Sequence, residues 1–182
     1  MVTSAARILD EYLVAAARTG DRRAFGLLAE RWHGKLVAHA WRLTGDPELA
    51  RDSAQGAWVE IVRGLHRLAD DRAFPAWAYR IVSRRCAKQI GAAVRRREVE
   101  AKVAAEPEAE GSAPDAAIDS ARLRSAIARL PAEQRSAIAL FYLEEMSVAE
   151  VAVALDVPLG TIKTRLLHAR RKLRAALEGE IR

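Results

Sequence analysis

Two runs of basic residues carry the chemistry of this 182-residue chain. In the C-terminal run, Thr161, Lys163, Thr164 and Arg165 open a helical pattern that continues through Arg170, Arg171, Lys172 and Arg174. Ile162, Leu166, Ala169 and Leu173 recur on one side of that pattern, which leaves the bases on the other. Ahead of it, Ser147-Val-Ala-Glu150 has the form of a capping box. Val148, Val151, Ala152 and Leu155 then follow at the spacing of one buried face. Asp156-Val-Pro-Leu-Gly160 must interrupt the helix, because proline lacks an amide hydrogen and glycine relaxes the turn, and Thr161 is expected to start the next helix. A short capped helix, a tight turn and a longer basic helix make a helix-turn-helix, whose second helix enters the major groove with its first residues at base edges. Thr161, Lys163, Thr164 and Arg165 are the candidate readers. Arg170, Arg171 and Lys172 lie further along and suit phosphates, which give affinity without sequence information. A solvated basic face on a core helix is the alternative; six bases without an acid, directly after a capped turn, favour DNA.

The second run combines charge with rings. Phe74, Trp77 and Tyr79 begin a long helical segment that carries Arg80, Arg84, Arg85 and Lys88 and has no acid before Glu98. Aromatics interleaved with bases can stack unpaired nucleotides while guanidinium groups track the backbone, which is how single strands are held. Trp77 and Phe74 read first as core, with Ile81 and Ile90 on the same side as Trp77. The four bases repel one another unless a polyanion screens them.

No enzyme signature accompanies these runs. A glycine-rich phosphate loop and a metal-ligand set are absent, so no cofactor or metal is expected, and His33, His39, His66 and His168 are scattered away from partnered carboxylates. Cys86 is the only cysteine, which excludes an intrachain disulfide. Its arginine neighbours could lower the thiol pKa, yet a lone helix cysteine usually packs.

The elements that must hold these runs are helices. Much of the apolar half of the chain is alanine, and the β-branched and aromatic clusters that announce strands are scarce, so the expected class is all-α. Formal net charge is +6, but Glu98 to Asp119 holds seven acids against Lys102 alone, leaving the rest near +12. With Pro107, Gly111, Ser112 and Pro114 in the same stretch, residues 98–115 read as a flexible acidic linker. Two small helical domains, residues 1–97 and 116–182, flank it. In the first, Asp21 caps a helix that ends near Thr44-Gly45, and Asp46-Pro47 caps a second that runs to about Leu68. In the second, Leu130-Pro131 opens a helix through Leu143. Asp10 and Glu11 break what would be a signal-peptide core, so a cytoplasmic protein that is not itself a membrane protein is expected.

Both domains resemble one family. Leu130-Pro-Ala-Glu-Gln-Arg, Glu144-Glu-Met-Ser-Val-Ala-Glu-Val-Ala and Gly160-Thr-Ile-Lys-Thr-Arg-Leu-Leu-His-Ala-Arg-Arg-Lys-Leu-Arg look like region 4 of extracytoplasmic-function (ECF) sigma factors. Ala24-Phe25, Leu43-Thr-Gly-Asp-Pro-Glu-Leu-Ala-Arg-Asp and Phe74-Pro-Ala-Trp-Ala-Tyr-Arg-Ile-Val resemble region 2. The resemblance implies that Asp52, Gln55, Trp58 and Glu60 dock on the β′ clamp helices of RNA polymerase core, and that region 4 meets the β flap. It implies that the loop 69–73, with Asp71 and Arg72, and the helix carrying Trp77, Tyr79, Arg80, Arg84, Arg85 and Lys88 capture the melted −10 element. The last helix, from Thr161 through His168 to Arg171, is similar to the reader of the −35 element, and the acidic linker to the segment threaded toward the active-site cleft. An anti-sigma factor is implied as a further partner.

The chain departs from the family pattern at two places. Gly56 follows Gln55 where an acid is usual, at a cost of roughly 1 kcal/mol of helix propensity relative to alanine. Arg84 and Lys88 stand where asparagine and aspartate are frequent. The expected function is promoter-specific initiation on polymerase core. The alternatives are a sigma-like mimic that sequesters an anti-sigma factor and a stand-alone helix-turn-helix repressor.

Overall fold

A computed structural model describes residues 2–100 and 118–178. Those residues are helical throughout their regular structure and divide into two compact units, one of residues 2–87 with 153–156 and one of residues 88–100 and 118–152 with 157–178. The acidic linker expected at 98–115 lies outside the described residues, except that α4 continues to Glu100.

The first unit opens with α1 (Val2–Arg18), which the sequence reading left without an element. It buries Leu13 and Val14 and is pinned by Arg31 donating to Asp10 at 2.8 Å. Helix α2 (Arg22–Thr44) starts where Asp21 accepts from the amides of Arg23 and Ala24, and it stops at Gly45, whose φ of 71° lies in the left-handed region that glycine adopts without a Cβ penalty. Helix α3 (Pro47–Gly64) begins as expected, with Asp46 accepting from Glu48 and Leu49 and proline in the first turn. It ends four residues earlier than expected, in a single 3-10 turn over Leu65–Arg67. The loop that follows is tied by Asp70, which accepts from the Arg72 amide and opens a second such turn at Asp71–Ala73.

Helix α4 (Phe74–Glu100) buries Tyr79, Val82, Ser83 and Cys86, a helical stripe rotated from the Trp77, Ile81, Ile90 face expected of it. Trp77 and Ile81 are half-buried, and Ile90 is exposed. The stripe is set by the aromatic core: the Trp32 ring meets Phe74 edge-on at 5.1 Å and Tyr79 at 5.6 Å, and His39 sits 5.0 Å from Tyr79. Edge-to-face pairs of this kind add to the area they bury.

In the second unit, α5 (Ile118–Ala128) and α6 (Ala132–Ile138) lead into one wider π turn, Ala139–Leu143. The capping box forms reciprocally, with the Glu150 amide donating to Ser147 Oγ at 3.2 Å and the Ser147 amide to Glu150 Oε2 at 2.7 Å. It launches α7 (Val148–Leu155), whose buried side chains are Val151, Ala154 and Leu155. Val148 and Ala152, expected on that face, are half-buried. Helix α8 (Leu159–Glu178) buries Ile162, Leu166 and Ala169 against α5 and α6.

Candidate nucleic-acid and polymerase interface

The turn between α7 and α8 is made differently from the expectation. Asp156, not Gly160, takes the left-handed conformation, at φ 55°, and the Val157 amide closes back on the Ala152 carbonyl at 3.1 Å. Pro158 accepts from the Thr161 and Ile162 amides, so α8 starts at Leu159 and Gly160 lies inside its first turn. Aspartate tolerates this backbone better than most side chains, which is why no glycine is needed there.

With the stripe Ile162, Leu166 and Ala169 buried, α8 presents Lys163, Thr164, His168, Arg170 and Arg171 to solvent on its other faces. Thr161 is half-buried, and the Thr164 hydroxyl donates to the Gly160 carbonyl at 3.1 Å. Arg165 differs from its neighbours. It donates to Glu133 Oε2 at 2.6 Å and is only 18% exposed, so one of the four candidate readers is tethered to α6. No charge count could have shown this, because Glu133 lies 32 residues upstream.

On the first unit, the residues assigned to the melted strand separate into two groups. Arg72, Arg84 and Lys88 are exposed and Arg80 is half-buried. Asp71 is held by Arg18 of α1. Tyr79 is fully buried, and its expected role in stacking is corrected here to packing: a ring enclosed by Trp32 and His39 offers no face to a nucleotide. Trp77 is half-buried and lies against Gly64, where a Cβ would meet the ring at 2.9 Å. Cys86 is buried and packs; burial raises its thiol pKa, opposed by a hydrogen bond from Ser53 and by Arg85.

Helix α3 carries the residues assigned to polymerase. Asp52, Gln55 and Val59 lie on one helical face, with Val62 one turn beyond, and all four are exposed. Trp58 flanks them, donating to His33 Nδ1 at 3.3 Å and meeting Phe25 edge-on at 5.9 Å. Phe25, Ala29, His33, Gln55, Trp58 and Val62 line an open apolar groove between α2 and α3. Val59 and Val62, 47% and 56% exposed, lie beside these residues and were not among those expected to dock. Their spacing from Gln55, at i+4 and i+7, was the available signal. Glu60 lies on the opposite flank and is bound by Arg85 at 2.6 Å. Among the described residues no helix is long and apolar enough to cross a membrane, and no three His, Cys, Asp or Glu side chains are grouped to hold a metal ion.

The Sigma-70 region 2 family matches residues 28–96, and the Sigma-70, region 4 family matches residues 120–173. The chain is 31% identical to RNA polymerase sigma-H factor of Pseudomonas aeruginosa in an alignment that covers 95% of this chain and 96% of that one. It is also 31% identical to the ECF RNA polymerase sigma-E factor of Escherichia coli K12, covering 92% and 93%. The chain belongs to the ECF sigma factors of bacterial RNA polymerase. CnrH, solved in complex with the cytosolic domain of CnrY, superposes with a TM-score of 0.61 at 29% identity, covering 94% of this chain and 98% of that one. The sigma factor RpoE of Bartonella quintana, solved with the anti-sigma factor NepR, shares the fold with a TM-score of 0.67 at 24% identity, covering 85% and 96%.

Proposed function

We propose that this ECF sigma factor binds RNA polymerase core through the exposed face of α3, reads the −35 element with α8 and holds the melted −10 strand with the exposed bases of α4. The observation that carries the reading is α8 itself. Ile162, Leu166 and Ala169 are buried while Lys163, Thr164, His168, Arg170 and Arg171 face solvent, and the preceding helix α7 starts in a reciprocal capping box. A basic helix that merely filled a core would not need this many exposed bases. On α3, Asp52 and Gln55 with the apolar Val59 and Val62 form a mixed strip of the kind that buries well against a partner helix.

Two weak readers on one chain gain affinity through effective concentration, so the spacing between the two promoter elements is tightly constrained. Work on polymerase places the protein in the cytoplasm. The sigma factor RpoE of Bartonella quintana is in complex with the anti-sigma factor NepR, and an anti-sigma factor is likewise proposed as the regulator of this chain. The test is reconstitution: purified protein with core polymerase, in an unbiased run-off screen of genomic fragments, is expected to give discrete transcripts. A pull-down that retains an anti-sigma partner and no β′ subunit, with no transcript from any fragment, would overturn the reading in favour of a mimic.

A further inference from the structure

Gly56 sits in the middle of α3, where glycine weakens a helix relative to alanine. The structure shows what its missing side chain makes room for. The Arg85 guanidinium of α4 fills the volume that a Cβ at position 56 would need, with Nε, Cζ and Nη2 all inside it. From that notch Nη1 donates to Glu60 Oε1 at 2.6 Å. Glu60 lies one turn beyond Gly56 on the same side of α3, so notch and carboxylate close on the guanidinium together. The Arg85 side chain is 34% exposed, while that of Arg84 beside it is 59% exposed.

We infer that Arg85 is a positioning residue, withdrawn from nucleic acid, whose guanidinium braces the strand-holding helix α4 against the polymerase-docking helix α3. The departure from the family pattern at position 56 is then the socket of the brace and not only a weak point. Glycine lets the arginine lie against the backbone and leaves Glu60 to bind it. The surface carried by Asp52, Gln55, Val59 and Val62 is thereby held in register with Arg84 on α4. The functional half of this inference rests on the proposed function; the structural half does not.

Gly56→Ala, Arg85→Ala and the double variant, all in the full chain, provide the test. A Cβ at 56 meets the end of a flexible side chain, so the fold survives and the guanidinium is displaced. Alanine at 56 is expected to raise Tm by about 4–8 °C when Arg85 is already alanine, where the socket is empty, and by clearly less when Arg85 is present. An equal gain in both backgrounds overturns the brace. The second readout is the salt dependence of holoenzyme binding to a single-stranded −10 oligonucleotide. Arg84→Ala should reduce the slope by about 0.7, Arg85→Ala should leave it unchanged, and Gly56→Ala, which turns the guanidinium loose, should steepen it by up to about 0.7. A slope reduced as much by Arg85→Ala as by Arg84→Ala would show a direct phosphate contact and sink the inference. Should no holoenzyme form, the proposed function fails, and the thermal comparison still decides the brace.

Discussion

His39 Nε2 lies 2.9 Å from the Ser83 hydroxyl, a buried polar link between α2 and α4 in the middle of the aromatic core. Burial lowers the imidazole pKa from 6.5 to about 3, and the charge of Arg42 adds to the effect. His39 is therefore a neutral packing residue whose second nitrogen, Nδ1, has no hydrogen-bond partner.

That pKa fixes a direction for acid sensitivity. Below pH 6.5 the unfolded chain protonates this imidazole while the folded chain does not until about pH 3, so the unfolded state takes up the extra proton across that window. Stability contributed by neutral His39 is fully present above pH 6.5 and falls by about 2 kcal/mol between pH 7 and pH 5. Urea unfolding at pH 7, 6 and 5 measures it. His39→Leu should flatten the profile by one proton; an unchanged slope in that variant rules the assignment out.

Tyr79 separates packing from stacking. Tyr79→Ala empties a fully buried site against Trp32 and should cost about 3–5 kcal/mol. Tyr79→Phe keeps the ring and should cost no more than about 1.5 kcal/mol while promoter-directed transcription persists. Loss of transcription in a stably folded Tyr79→Phe chain would restore a nucleic-acid role to the hydroxyl.

The capping box carries α7, a helix of only eight residues. Ser147→Ala removes the acceptor for the Glu150 amide and should lower stability by about 1 kcal/mol. Affinity for a −35 duplex should fall with it, because α7 and its turn set where α8 begins. Unchanged denaturation midpoints would mean that the box is decorative.

Along α8, position predicts the kind of loss. Lys163→Ala should cost about 1–3 kcal/mol against the preferred −35 sequence and relax discrimination at one base pair. Arg171→Ala should weaken all duplexes alike and reduce the salt slope by about 0.9. Competition binding on a panel of single-base variants at several salt concentrations tells them apart, and the reverse pattern would mean that the helix lies in the groove in another register.

Local chemistry made much of this fold readable in advance. Asp21, Asp46-Pro47, Gly45 and the pair Ser147 and Glu150 each act through a hydrogen bond or a backbone angle set within a few residues, so their types announce them. What escaped was non-local. Helix α1 is the exception, since its signal is local: Ala5, Leu9, Leu13 and Ala16 recur at helical spacing, with Leu13 buried. Tyr79 read as a stacking ring because only Trp32 and His39, some forty residues away, reveal it as core. Arg85 and Arg165 counted as groove-facing cations until Glu60 and Glu133 showed where their guanidinium groups go. The turn at Asp156 was credited to Gly160 because glycine is the commoner source of a left-handed residue.

The division of α8 into a sealed stripe and an open face has an evolutionary corollary. Exchanges at Lys163, Thr164, His168 or Arg170 alter the charge and donors that face outward while touching nothing in the core, and surface exchanges of that kind usually shift stability by no more than about 0.5 kcal/mol. Duplicated copies of such a gene can therefore drift toward new regulatory sequences one outward side chain at a time. Arg165 stands apart from these positions, because its exchange also breaks the ion pair with Glu133.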